Sequence, residues 1–193
     1  MKEKCDAYTR FRTNEFQNNM SSAYMSTNLV DRKPRMLLHA CCGPCSTSCV
    51  ERLAFDYEVT IFYYNPNITD QEEYLLRRDT LVKFIDAFNE EFKDRTYVHY
   101  IEGEYKVENF IKVTQSLCNE PEGGKRCDVC FELRLEETGR KASELGMDYF
   151  ATAMAVSPHK DYVSILRIGE EIGSSNNVKF LDMDFKKKNG FGR

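Results

Sequence analysis

From residue 36 onward, short apolar runs alternate with longer segments whose apolar positions recur three and four apart, a pattern of strands separated by helices. Met36-Leu37-Leu38-His39-Ala40 reads as a first strand, residues 46–55 as a helix, and Val59-Thr60-Ile61-Phe62-Tyr63-Tyr64 as a second strand. Over residues 70–92, Leu81, Ile85, Phe88 and Phe92 keep helical spacing while charged residues fill the other faces, as a crossover helix requires. A β-branched and aromatic run at 96–101 and a helical segment at 107–117 follow. Residues 127–145 then place Phe131, Leu135, Ala142 and Leu145 on one stripe that stops at Gly146. Strands at 147–152 and 178–185 enclose a helix at 162–172. The alternation implies an α/β fold, a parallel Rossmann-like sheet flanked by helices on both faces.

Residues 1–35 show no sustained periodicity and carry Pro34 near their end, so they read as a polar, flexible extension preceding a single domain over 36–193. Neither a signal-peptide core nor a membrane span is visible in them, which points to a cytoplasmic protein. With 41% hydrophobic and 30% charged residues, the 193-residue chain is too apolar to be disordered throughout, and it is long enough to fold without covalent staples. Its eight cysteines therefore read as metal ligands or redox groups kept reduced, not as a disulfide framework. The net charge of -4 gives no general attraction to nucleic acid. Local basic clusters exist at Arg77 and Arg78, at Lys125 and Arg126, and at Lys186, Lys187, Lys188 and Arg193, each readable also as plain solvated surface.

Parallel sheets of this kind hold ligands beyond the carboxyl ends of their strands. The loop after the first strand holds Cys41, Cys42 and Cys45, the loop after the second Asn65, Pro66 and Asn67, and the loop after the fourth Ser157, Pro158 and His159. In Gly123-Gly124-Lys125-Arg126-Cys127-Asp128-Val129-Cys130, two cysteines three apart at a helix start direct both sulfurs to one side, and Arg126 with the helix dipole favours thiolates. Cys41 and Cys42, in a turn shaped by Gly43 and Pro44, can supply the other half of a four-thiolate site. Zinc and an iron–sulfur cluster both suit four thiolates, and the adjacent pair favours the cluster over the spaced knuckles of structural zinc. Cys45 reads as a second-metal ligand, a proton donor, a reducing thiol or a small buried residue. Cys49 reads as core, and Cys118 and Cys5 as bystanders. Of the histidines, His39 fits a hydrogen-bonded core position and His99 a strand face, while His159 shares the expected rim.

Several segments in this order resemble the cobalamin-independent epoxyqueuosine reductases, a bacterial tRNA-modification family with an adenine-nucleotide alpha-hydrolase-like sheet. The matching stretches are residues 37–45, Phe62-Tyr63-Tyr64-Asn65-Pro66-Asn67-Ile68, Glu73-Tyr74 with Arg77, residues 123–135, Ser157-Pro158-His159-Lys160-Asp161 and residues 180–193. The resemblance implies that Cys41, Cys42, Cys127 and Cys130 hold a [4Fe–4S] cluster. It also implies reductive removal of the epoxide oxygen from epoxyqueuosine in tRNA to give queuosine. Members of the family continue past the Phe191-Gly192-Arg193 region into a Cys-x-Cys redox tail, and the expectation is that this chain stops before it.

Epoxide removal needs two electrons, protons for the departing oxygen and an electrophile. The expectation is that the cluster feeds single electrons while an additional iron ion near it, held in part by Cys45, acts as Lewis acid. The substrate would be an anticodon loop, recognised by stacking on Tyr63 and Tyr64, by phosphate contacts from Arg77, Lys160 and residues 186–188, and by hydrogen bonds from Asn65 and Asn67. An electron donor is required, and no motif identifies it. Two rivals stand beside this reading. An ATP-pyrophosphatase-like tRNA thiolation enzyme would need a Gly- and Ser-rich phosphate loop where Pro44 here removes a backbone donor. A non-enzymatic zinc module would use the four cysteines for stability alone.

Overall fold

Apolar side chains on both faces of each central strand leave the sheet no wet side, and the structure resolves this by covering it twice. In the computed structural model, which describes residues 32–186, five parallel strands form one sheet. They are β1 (Arg35–Ala40), β2 (Glu58–Tyr63), β3 (His99–Glu102), β4 (Tyr149–Thr152) and β5 (Lys179–Phe180), in the order β3-β2-β1-β4-β5. The described α-helices are α1 (Gly43–Leu53), α2 (Gln71–Glu91), α3 (Val107–Thr114), α4 (Lys125–Glu144) and α5 (Tyr162–Asn176). Short 3-10 turns at Gln115–Leu117 and Ala153–Val156 complete the chain's regular structure among the described residues. Of the features read from the sequence, Cys5, nearly all of the N-terminal extension, Lys187, Lys188 and Arg193 lie outside the described residues.

Period-two alternation in β1 divides the core. Met36, Leu38 and Ala40 face α1 and α2 with Val50, Leu53, Leu81 and Ile85. Leu37 faces the other way, among Phe131 and Leu135 of α4 and Ile165, Ile168 and Ile172 of α5. Helix ends follow from local chemistry. The side chains of Asp70 and Asp161 accept backbone N–H bonds at the starts of α2 and α5. Past the end of α4, Gly146 takes φ 63° and lets Met147 N–H reach the Ala142 carbonyl.

Two differences from the sequence expectation have a clear local cause. α1 starts at Gly43, three residues early, because Pro44 sits in its first turn, where a missing N–H costs nothing. β5 pairs only through Lys179 and Phe180, and the apolar residues beyond it, such as the buried Phe185, are covered without strand pairing.

The order of the strands reverses at β1: the chain passes outward to β2 and β3, then returns to pair β4 on β1's other side. The crevice beyond the carboxyl ends of β1 and β4 is therefore where such a sheet places a ligand. α5 and β5 meet closely at Gly173, where an added Cβ would lie 2.7 Å from the Val178 carbonyl oxygen. Gly173→Ala gains about 1 kcal/mol of helix propensity but forces backbone apart at a cost of about 1–3 kcal/mol. A net fall of roughly 2–6 °C in melting temperature is expected, and thermal unfolding with no fall would show that β5 yields freely.

Candidate metal centre

β1 ends at Ala40, and the chain turns through Cys41 and Cys42 directly into α1, whose first turn contains Cys45. The turn is tight because α1 starts hard against α2; a Cβ on Gly43 would lie 3.2 Å from Thr80 Cγ2. The sulfurs of Cys41, Cys42 and Cys45 consequently lie within 4.8 Å of one another, with 3.9 Å between Cys41 Sγ and Cys42 Sγ. Two thiolates on one tetrahedral ion span about 3.8 Å at an ordinary metal–sulfur bond length. The group can therefore hold a thiophilic metal.

The three thiols share their protons unequally. Hydrogen bonds shared with Cys41 and Cys45 draw the Cys42 thiol down against its partial burial, so the group favours holding one thiolate. The interaction with Cys42 pushes Cys41 up to about 11, and interactions with Cys41 and Cys42, then burial, drive Cys45 far above the ordinary thiol value. A thiolate at the start of a helix also meets the favourable end of the helix dipole.

Around this group the strand ends are locked together. His39, fully buried, donates from Nε2 to the Tyr64 carbonyl at 3.0 Å, and its Nδ1 accepts from the Thr152 hydroxyl at 3.0 Å. Burial, then the charge of Arg134, lowers its pKa to about 3, so it is neutral and structural, as its place in an apolar strand suggests. Asn65 donates through Nδ2 to the Ala40 carbonyl at 2.9 Å, fixing the residue that precedes Cys41. This orientation leaves Asn65 Oδ1 buried without a donor, and Asn67 Oδ1 is in the same condition. Arg77 pairs with Glu73 at 2.6 Å. Partial burial opposes its charge, but the Glu73 bond and the fields of Cys42 and Cys41 more than offset that, which places its guanidinium by the cysteine turn.

Cys127 and Cys130 occupy the first turns of α4, half-buried, and do not belong to the group of sulfurs within 4.8 Å. Cys127 Sγ accepts the Gly123 N–H at 3.3 Å. Arg126 Cζ stands 5.8 Å from the centroid of the Phe110 ring. Lys160 lies 5.9 Å from the Phe131 ring of α4, and its carbonyl accepts from Lys186 Nζ at 2.7 Å, which brings the β4 loop and the end of the described chain to the same helix. His159 is exposed on that loop. Cys49 is buried in the core and Cys118 exposed, both as expected.

One residue escaped the sequence reading. Arg134, one turn beyond Cys130, is 3% exposed and donates from Nε to the Cys130 carbonyl at 3.1 Å. The signal was present as a charge beside Leu135 on the apolar stripe of α4.

The donor set fits a sulfur-bound metal group: three clustered thiols follow β1, and two more half-buried thiols lie at the start of α4. The family model described as epoxyqueuosine reductase QueH matches residues 36–193. The chain is 42% identical over 163 residues to the epoxyqueuosine reductase QueH of Staphylococcus epidermidis, covering 83% of this chain and 68% of that protein. It is 40% identical over 161 residues to that of Streptococcus pyogenes serotype M1, covering 83% and 62%, and 32% identical over 155 residues to that of Thermotoga maritima, covering 79% and 75%. The chain thus spans less than two thirds of the length of the Streptococcus pyogenes protein. Because the match runs from β1 through every element that builds the crevice, the chain belongs to the epoxyqueuosine reductase QueH family.

Proposed function

We propose that this protein is an epoxyqueuosine reductase that converts epoxyqueuosine in tRNA to queuosine. The observation that carries the reading is the gathering of Cys41, Cys42 and Cys45 at the point where the strand order reverses, in a chain of this family. The reaction adds two electrons and two protons, opens both carbon–oxygen bonds of the epoxide, and releases water and an alkene. Cys41, Cys42, Cys127 and Cys130 would hold a [4Fe–4S] cluster, which supplies electrons one at a time, and an additional iron ion would supply a Lewis acid.

The chain's own residues do the remaining work. Cys45 is surplus to the four cluster ligands yet its sulfur lies within 4.8 Å of those of Cys41 and Cys42, so it is the ligand offered to the additional iron. Asn65 and Asn67 present buried carbonyl oxygens that lack donors, suited to accept from hydroxyl or amine hydrogens of the modified base. Arg77 and Lys160 flank the crevice and suit phosphates of a single-stranded loop. Electrons must come from a donor protein or small reductant outside the chain. No described helix is long and apolar enough to cross a membrane.

After anaerobic isolation, the wild type and Cys118→Ala should be brown with matched iron and acid-labile sulfide, and Cys127→Ala should lose both. Zinc without sulfide in the wild type, even after iron–sulfur reconstitution, would overturn the cluster and favour the structural zinc module. Cys45→Ala should keep its iron–sulfur spectrum while its turnover of epoxyqueuosine-containing tRNA falls on the order of 100-fold or more; full turnover would remove Cys45 from the mechanism. Arg77→Ala and Lys160→Ala should each weaken tRNA binding and flatten its dependence of log K on log salt by about 0.7. An unchanged slope would exclude the residue concerned as a phosphate contact.

A further inference from the structure

A single-stranded RNA loop is held by stacking of its unpaired bases on aromatic side chains as well as by its phosphates. Tyr63 and Tyr64, the rings that the sequence offers for this, are 0% and 6% exposed, so neither has a face to give. The chain that follows β3 helps to cover Tyr64. Gly103 N–H bonds the Tyr63 carbonyl at 2.9 Å, and a Cβ on Gly103 would lie 2.8 Å from Tyr64 Cδ2 and 2.9 Å from Phe62 Cζ. Without a side chain, this residue lets the backbone lie close against the stacked rings of Phe62 and Tyr64.

Two residues on, the same segment presents a different ring. Tyr105 lies between β3 and α3, at the carboxyl end of the sheet, the end that carries the cysteine turn. Its ring stacks on Tyr74 of α2, with centroids 3.9 Å apart and an interplanar angle of 28°, and its hydroxyl donates to the Ile68 carbonyl at 2.8 Å. Tyr74 is 2% exposed, donates to Glu102 Oε1 at 2.9 Å and packs on Tyr63 with ring centroids 5.0 Å apart. Tyr63 is the register partner of Ala40, which precedes Cys41. The three rings thus form a stack that runs outward from the strand end beside the cysteine turn, and Tyr105, only partly buried, is its outer member.

One face of Tyr105 rests on protein and its hydroxyl is bonded, so the surface it exposes belongs to the opposite side of a ring held in place. A flat, apolar, pre-ordered surface open on one side is what a nucleobase stacks on. The anchor gives this surface its address. Ile68 belongs to the loop that carries Asn65 and Asn67, and its N–H bonds the Asn65 carbonyl at 3.2 Å. The ring is therefore tied to the same loop as the two buried Oδ1 atoms that lack donors.

We propose that Tyr105 is a stacking platform for an unpaired base of the RNA, a neighbour of the base whose hydrogens reach Asn65 and Asn67. The proposal rests on the tRNA reading given above and adds to it a contact that carries no charge. Stacking neutralises no phosphate and releases no counterion, so it is separable from the contacts of Arg77 and Lys160 by its indifference to salt.

The test uses anaerobically isolated protein, matched for iron and acid-labile sulfide, with epoxyqueuosine-containing tRNA as the probe. Tyr105→Leu, which keeps apolar bulk and removes the π face, should weaken binding about tenfold or more and leave the slope of log K against log salt unchanged. Tyr105→Phe, which keeps the ring and loses only the bond to Ile68, should stay within about threefold of wild type. The chain contains no tryptophan, so Tyr105→Trp carries a lone indole at the platform. That variant should bind as tightly as wild type, and its emission should be quenched as tRNA saturates it. Wild-type affinity in Tyr105→Leu would overturn the proposal, and so would indole emission unmoved at saturating tRNA. Equal losses in Tyr105→Phe and Tyr105→Leu would overturn it as well, since the hydroxyl's hold on the Ile68 loop would then be what matters. Where a melting curve shows Tyr105→Leu unfolded, the indole emission decides. A wild type that fails to retain the tRNA would show separately that the tRNA reading had failed, and this inference would fall with it.

Discussion

The two hydrogen bonds of His39 set the geometry on which the crevice depends. One runs to the Tyr64 carbonyl just past β2 and the other comes from the Thr152 hydroxyl at the end of β4, so a single imidazole fastens three strand ends two residues before Cys41. Thr152 in turn accepts the Met154 N–H, which starts the 3-10 turn that closes the β4 side. The arrangement requires a neutral ring, since the imidazolium has no acceptor to offer Thr152. The unfolded chain takes up a proton near 6.5 that the folded chain refuses until about 3, so this frame loses stability as pH falls through that interval. Above it the frame is fully formed, and Asn65 extends it by holding the Ala40 carbonyl.

The alternation of strands and helices was legible because both faces of the sheet are buried and each helix turns one stripe toward it. Met36, Leu38 and Ala40 against α1 and α2, and Leu37 against α4 and α5, are that pattern made solid. What the sequence did not reveal has physical causes. Leu181, Met183 and Phe185 alternate like a strand, but alternation reports burial and not pairing; past Phe180 the chain keeps its apolar contacts and leaves the ladder. Pro44 reads as a helix breaker unless its place in the first turn is known, and that place puts Cys45 on a helix start in contact with the cysteine pair. Arg126, adjacent to Cys127, was the cation visible from spacing, while Arg134, seven residues on from Cys127, is buried and bonded to the Cys130 carbonyl. Linear proximity ranks charges poorly when a helix presents successive residues to different sides.

Charge in this molecule is therefore of two kinds. Arg140 with Glu137 and Glu144, Arg167 with Glu171, and Lys93 with Glu90 are solvated helix-surface pairs whose net contributions are small. Arg77 differs: half-exposed and paired with Glu73, its guanidinium also feels the charge of the cysteine turn.

The place of the site also explains why the thiolation alternative loses ground. A loop from a central strand into a helix, at the reversal of strand order, is where sheets of this type cradle phosphate with successive backbone N–H groups. Here the equivalent turn removes one donor through Pro44 and gathers the sulfurs of Cys41, Cys42 and Cys45 within 4.8 Å of one another. A phosphate would meet the negative charge of the thiolate that the group favours, whereas a cationic metal finds its preferred donors. The helix dipole that would otherwise hold a phosphate stabilises that thiolate instead. The address supplied by the fold is unchanged, and the residues in the turn have altered what can occupy it.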